Sequence, residues 1–273
     1  MRYLDVQLRT LAPGNLLFAI QSGVGLAEKI GANLRFVNND LISNASLDEL
    51  CAGKYSKVQE LEFMNFCSKL GIDTNRFTLT NKSFWNIRKK RKLNGVFRSV
   101  QHENGIHQRI RIKKNTKTLI GSFINPNNFG KSEPIIPSCT IRHRGLAIHV
   151  RGGDYLTGMK GVYNLCDVNY YRRIIDNAGY SDSQIHFFTN DPSYAKFIKS
   201  KIGLTKASIN CGDEIDDLFT MAEFESIAIT NSSYSWWSAH IGSAIQIFAP
   251  NRWRNDQFNT ADLIMPSWNV IDV

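Results

Sequence analysis

The feature that most constrains this chain is a regular alternation, through its second half, of short apolar runs with amphipathic stretches of about a dozen residues. The runs at 145–151 (GLAIHVR), 184–190 (QIHFFTN), 206–210 (KASIN), 226–230 (SIAIT) and 245–250 (IQIFAP) read as strands. Between them, 167–179, 192–203, 213–224 and the stretch SYSWWSAHIGSA read as helices, with Asp167 as an N-cap, Gly179 as a stop and Pro192 in a first turn. Strands separated by helices of that length make βαβ units, and hence a mostly parallel, doubly wound sheet. The N-terminus opens the same way: YLDVQL as a strand, a loop and helix through GNLLFAIQSGVGLAEKIG closed by Gly31, then NLRFVNN as a strand. Residues 40–120 carry no clear assignment, and the Asn- and Pro-rich stretch 125–139 reads as a linker. The pattern predicts an α/β chain of two lobes, 1–140 and 141–273, with a cleft between them.

Composition narrows the class. Of 273 residues, 42% are hydrophobic and 21% charged, as in ordinary soluble proteins. No stretch approaches the ~20 apolar residues of a membrane span, and the N-terminus has no apolar signal region. The expected location is the cytoplasm, at most peripheral to an inner membrane. A trimmed, membrane-anchored parent, in the Golgi lumen if eukaryotic, fits the same sequence. The five cysteines lie far apart without CxxC or zinc spacing, so free thiols in a reducing compartment are expected. The net charge of +9 is concentrated between residues 88 and 117, where eleven Lys and Arg face a single acid, Glu103. That window is a solvated face or a patch for anionic lipid or an acidic substrate. Nucleic acid is not expected, because the window lacks a stacking pattern, zinc knuckle or helix-turn-helix signature.

In open α/β sheets, ligands bind beyond the carboxyl ends of the strands. The strand ends of the second lobe deliver His149, Arg151 and Asp154, then Thr189, Asn190 and Asp191, then the turn TNSSYSWW. If the sheet is parallel, these meet in one crevice. A helix start carrying Asn231, Ser232, Ser233 and Ser235 offers unpaired N–H groups and hydroxyls to a phosphate, without a Walker loop. Arg151 adds a planar, always-charged fork. Two plainer readings stand beside these: Ser232 or Ser233 only caps the helix, and Arg151 only pairs with Asp154 at the surface. GVGLAE (23–28) fails as a dinucleotide fingerprint. The acids at 213–217 are accounted for by the helix dipole, so no metal site is expected. The residues describe a metal-free diphosphate site, for which a nucleotide sugar is the natural ligand.

At these residues the chain resembles the α-1,2-fucosyltransferases of glycosyltransferase family 11. HVRGGDY (149–155) is similar to the family's His-Val-Arg-Arg-Gly-Asp-Tyr, and FFTNDPSY and DLFTMAEFESIAITNSSYSWWSAHI to its later motifs. Upstream, PGNLLFAIQSGVGLA is similar to its Gly-Asn-Gln-Met-Phe segment and IGSFINPNNF to its Gly-Tyr-Phe-Gln segment. The resemblance implies a GT-B-like fold of two Rossmann-like lobes, the second binding GDP, and no cofactor. It implies inverting, metal-independent transfer of L-fucose from GDP-fucose to a galactoside 2-hydroxyl, in surface polysaccharide or lipopolysaccharide synthesis. Arg151 would hold the β-phosphate with Ser232, Ser233 and Ser235; Gly14 and Asn15 would face the nucleotide; Asn190 and Asp191 would reach guanosine or ribose. Asp154 is the first candidate for the base and His149 the second. Three positions depart from the family: Gly152 for its second Arg, and Leu16 and Ile124 for two Gln. They leave open a nucleotide-sugar-binding protein without turnover, or a transferase with another donor or acceptor.

Overall fold

The computed structural model describes residues 1–7, 12–37, 60–80, 100–102, 112, 118–120, 123–159, 161–255 and 261–273. Most of the basic window 88–117 lies outside them. The chain divides into two compact units, Met1–Ile136 and Pro137–Val273.

The first unit contains β1 (Tyr3–Gln7), α1 (Pro13–Ile30), β2 (Asn33–Val37), α2 (Glu60–Lys69), β3 (Thr78–Thr80), β4 (Val100–His102) and β5 (Thr118–Ile120). All the strand pairings are parallel, in the order β3-β2-β1-β5-β4. The elements from α2 to β5 fall in the stretch that lacks a clear sequence period. α1 begins with Pro13, whose missing N–H costs nothing in a first turn, and ends at Gly31 in the left-handed region (φ 63°). Leu4, Val6, Leu17, Phe18, Ile20, Phe36 and Phe63 are fully buried around it.

Most of the stretch read as a linker, 125–136, is packed in the first unit, and the boundary between the units follows it at Ile136/Pro137. Asn125, Asn128, Ile135 and Ile136 are all buried, and Phe129 lies 5.6 Å from Phe18 ring to ring. The Gln21 side chain, inside α1, accepts from Ile135 N (2.7 Å) and donates to Ser132 Oγ (2.8 Å) and Glu133 O (3.1 Å). A buried amide with all these partners fastens the segment to the helix. Close approach is possible because position 25 has no side chain: a Cβ there would stand 2.1 Å from the Phe129 carbonyl oxygen.

The second unit contains β6 (His143–Val150), α3 (Val168–Ala178), β7 (Ile185–Thr189), α4 (Pro192–Ile202), β8 (Ser208–Asn210), α5 (Glu214–Ala222), β9 (Phe224–Ala228), α6 (Ser233–Ile241), β10 (Gln246–Pro250) and β11 (Asn269–Ile271). Its sheet is parallel throughout, in the order β11-β10-β9-β6-β7-β8. The α/β class with parallel sheets is therefore the observed one. β6 is central, and Leu146 to Val150 are buried on both faces, as a strand covered by helices on both sides requires. Helix starts follow the sequence: Asp167 accepts from Asn169 N and Tyr170 N, and Asp213 from Ile215 N and Asp216 N. The fourth strand runs 224–228, two residues earlier than its apolar pattern suggests, which releases Ile229–Ser232 as the turn into α6. No helix among the described residues is long and apolar enough to cross a membrane.

Candidate functional site

The strand order of the second unit reverses between β6 and β9. The chain winds from β6 outward through β7 and β8, then returns to the other side of β6 and winds outward through β9, β10 and β11. At such a switch point the connections leave the carboxyl ends in opposite directions and open a crevice. Arg151 follows β6 there, Asn190 and Asp191 follow β7, and Asn231, Ser232 and Ser233 follow β9.

Arg151 donates from Nη2 to Asp154 Oδ1 at 2.7 Å, with both side chains partly exposed. The ion pair named as the plainer alternative is thus present. It does not consume the guanidinium: Arg151 Nε is buried and makes no hydrogen bond among the described residues. A buried N–H left unpaired is costly, and here it leaves one donor of the guanidinium unsatisfied.

Asn190 and Asp191 face the same turn. Asn190 Oδ1 accepts from Gly152 N (3.3 Å); Asp191 Oδ2 accepts from Gly153 N (3.0 Å) and its Oδ1 from Tyr194 N (3.0 Å). The N–H groups of Tyr194 and Gly153 hold the Asp191 carboxyl below the usual carboxylate range. Both of its oxygens are directed at this chain's own backbone.

Asn231 is buried and clamps two loops. Its Nδ2 donates to Trp253 O (2.8 Å) and to Asn164 O, while its carbonyl accepts from Tyr155 Oη (3.0 Å). Tyr155 stacks on Tyr163 (4.6 Å, 7° between planes), the Arg151 guanidinium lies 5.2 Å from the Tyr155 ring, and Arg254 lies 5.5 Å from that of Tyr163. Sequence reasoning missed this column of two aromatic rings between two cations. Tyr155 stands in the GDY motif, but Tyr163 and Arg254 join it through an antiparallel bridge between loops far apart in the chain.

Ser232 occupies the N-cap position of α6 but its side chain makes no capping bond. Ser232 is buried and Ser233 partly exposed. Ser235 is fully buried and turned inward, accepting from Thr230 N and donating to Ser232 O, both at 3.3 Å. Its hydroxyl shapes the turn from behind. His149 is also turned inward: it is 3% exposed, its Nδ1 is 2.7 Å from Thr230 Oγ1, and its ring packs on Tyr234. Burial, with a smaller push from the Arg151 charge, lowers its pKa to about 3. The imidazole is neutral and enclosed, a packing residue of β6 and a weak base at neutral pH.

In the first unit, Gly14 and Asn15 lie in the first turn of α1, just past the end of β1 and at that sheet's own point of reversal between β1 and β5. Leu16 and Ile124, at the two positions where the resembling family has Gln, are 1% and 4% exposed. No group of three or more His, Cys, Asp and Glu among the described residues could hold a metal ion.

Residues 140–272 match the family model described as Glycosyl transferase family 11. The chain is 24% identical over 283 residues to the alpha-1,2-colitosyltransferase of Escherichia coli, covering 95% of this chain and 96% of that one. It is 26% identical over 132 residues to the O-antigen biosynthesis glycosyltransferase WbnK of Escherichia coli, 45% of this chain and 43% of WbnK. Among solved structures, the E. coli heptosyltransferase WaaC with ADP aligns over 100% of this chain and 91% of its own, with 11% identity and a TM-score of 0.41.

Proposed function

We propose that this chain, whose residues 140–272 match the model of glycosyl transferase family 11, transfers L-fucose from GDP-fucose to the 2-hydroxyl of a galactoside, with inversion and without a metal ion. The observation that carries the reading is the placement of Arg151 and the turn into α6 at the β6/β9 reversal. A partly exposed arginine and the N–H groups of a helix start are suited to a leaving diphosphate, whose growing charge they would stabilise without a cation. Asp154, held by Arg151 through Oδ1, would take the acceptor proton in this scheme. The names of the two relatives, one an α-1,2-linking transferase and one an O-antigen glycosyltransferase, support the linkage and a role in surface polysaccharide.

Turnover is favoured over a binder that has lost activity by the setting of the departures from the family. Leu16 and Ile124 are core residues of the first unit, and position 152 is sterically occupied by Asp191. A second reading, a colitosyl donor with the same chemistry, rests on the full-length similarity to the colitosyltransferase.

The test is GDP release from GDP-fucose and from GDP-colitose, with a galactoside panel, in EDTA. Acceptor-dependent release from GDP-fucose that disappears in Arg151→Ala supports the first reading. Release from the colitosyl donor alone selects the second. Tight GDP binding with no turnover on any acceptor favours the binder, and no GDP binding at all overturns every nucleotide-sugar reading.

A further inference from the structure

The turn that carries Arg151 is held from the end of the neighbouring strand. Thr189 Oγ1, at the end of β7, donates to Val150 O (2.8 Å) and accepts from Asp191 N (2.9 Å), which fixes the start of Asp191 against the end of β6. From there the carboxylate reaches in two directions, to Tyr194 N at the head of α4 and to Gly153 N in the turn. Gly153 has φ 58°, the left-handed region that a residue with a Cβ avoids, and it folds the chain back so that Asp154 meets Arg151. Gly152 faces the same carboxylate: a Cβ built there would stand 2.6 Å from Asp191 Oδ2 and 2.7 Å from Asp191 Cβ. The second contact is with the root of the side chain, so no rotamer of Asp191 relieves it.

The geometry points to Asp191 as a positioning residue that sets the Arg151–Asp154 pair through Gly153, with Gly152 as the residue that leaves room for it. This inference rests on Arg151 being the diphosphate contact. It assigns Asp191 a different task from the guanosine or ribose contact expected from the sequence, because both carboxylate oxygens are engaged by backbone N–H groups.

Asp191→Asn separates the two tasks of the side chain. Its amide oxygen still accepts from Tyr194 N and keeps α4 capped, while its NH2 is set against the Gly153 N–H and the tether is lost. Calorimetric titration with GDP is expected to show a loss of affinity on the order of ten- to a hundredfold in Asp191→Asn, with a nearly unchanged thermal midpoint. In an Arg151→Ala background the same substitution is expected to change GDP affinity less than about twofold, since no guanidinium is left to misplace. An equal loss in both backgrounds would mean that Asp191 acts on the nucleotide independently of Arg151, and would overturn the positioning role. Without ligand, Gly152→Ala should lower the thermal midpoint, and much less so when Asp191→Gly is present; equal shifts in the two backgrounds would overturn the interlock. If the unsubstituted chain binds no GDP, the diphosphate reading falls and the positioning role with it, while the ligand-free cycle still decides the interlock.

Discussion

His149 stands in the middle of the candidate site motif, yet its surroundings make a quantitative claim about stability. Folded, its pKa is about 3 because the ring is buried and Arg151 lies nearby; unfolded, it returns to about 6.5. A histidine lowered on folding stabilises the native state fully above its unfolded pKa. That contribution is lost as pH falls from about 6.5 toward about 3, because the unfolded chain takes up a proton the folded one refuses. At pH 5 the loss amounts to about 2 kcal/mol relative to pH 8. His149→Gln removes the titration, so the stability advantage of the natural residue over glutamine should shrink by about 2 kcal/mol between pH 8 and pH 5. Urea unfolding followed by tryptophan fluorescence suits the question, since Trp236, Trp237, Trp253 and Trp268 all lie in the unit that contains His149. His186 and His240 are also lowered by burial, but both are present in the two proteins and cancel in the difference. A difference that stays constant within about 0.5 kcal/mol across this range would refute the claim that His149 is held neutral in the fold.

Three further substitutions test packing within the two units. Gly25→Ala gains helix propensity, on the order of 1 kcal/mol, yet drives a Cβ into the backbone carbonyl of Phe129; a net loss of about 2 kcal/mol or more is expected. Gly23→Ala, two residues earlier, has as its nearest neighbours the Leu34 and Phe36 side chains at 3.3–3.4 Å, so its thermal midpoint should lie well above that of Gly25→Ala; equal midpoints would sink the explanation. Asn231→Ala removes the donors to Trp253 O and Asn164 O and should cost about 2 kcal/mol. It should also speed proteolytic nicking between residues 153 and 165, and protection at the natural rate would argue against the clamp.

What the sequence disclosed was local and periodic. The β6 run, the Asp167 cap and the closing Gly31 and Gly179 need only near neighbours, and each was legible; the Asp213 cap was read only as one of several acids at a helix start. The end of β9 was displaced because SIAIT runs on through two β-branched residues, Ile229 and Thr230, past the last ladder pair, and β-branched character alone does not separate a strand from the buried turn behind it. The segment 125–136 carries every sign of a linker in composition. Its buried role depends on the Gln21 amide, more than a hundred residues earlier, which no window can see.

Glycines show the same limit at the site itself. Gly153 is needed for a backbone angle, which GGDY already hints at, whereas the need at Gly25 and Gly152 is created by a partner far off in the chain. Read from the sequence, Gly152 is a missing arginine, a cation subtracted from a phosphate site. In three dimensions the same position is filled by the Asp191 carboxylate, so restoring a side chain there evicts the group that tethers Gly153. Gly152→Arg is therefore expected to lower GDP affinity instead of raising it, even though it adds a positive charge beside Arg151. Only with Asp191→Gly in the same chain should the added guanidinium be tolerated. Calorimetry on the single and double variants checks both statements, and a Gly152→Arg chain that binds GDP more tightly than the natural one would refute the steric argument.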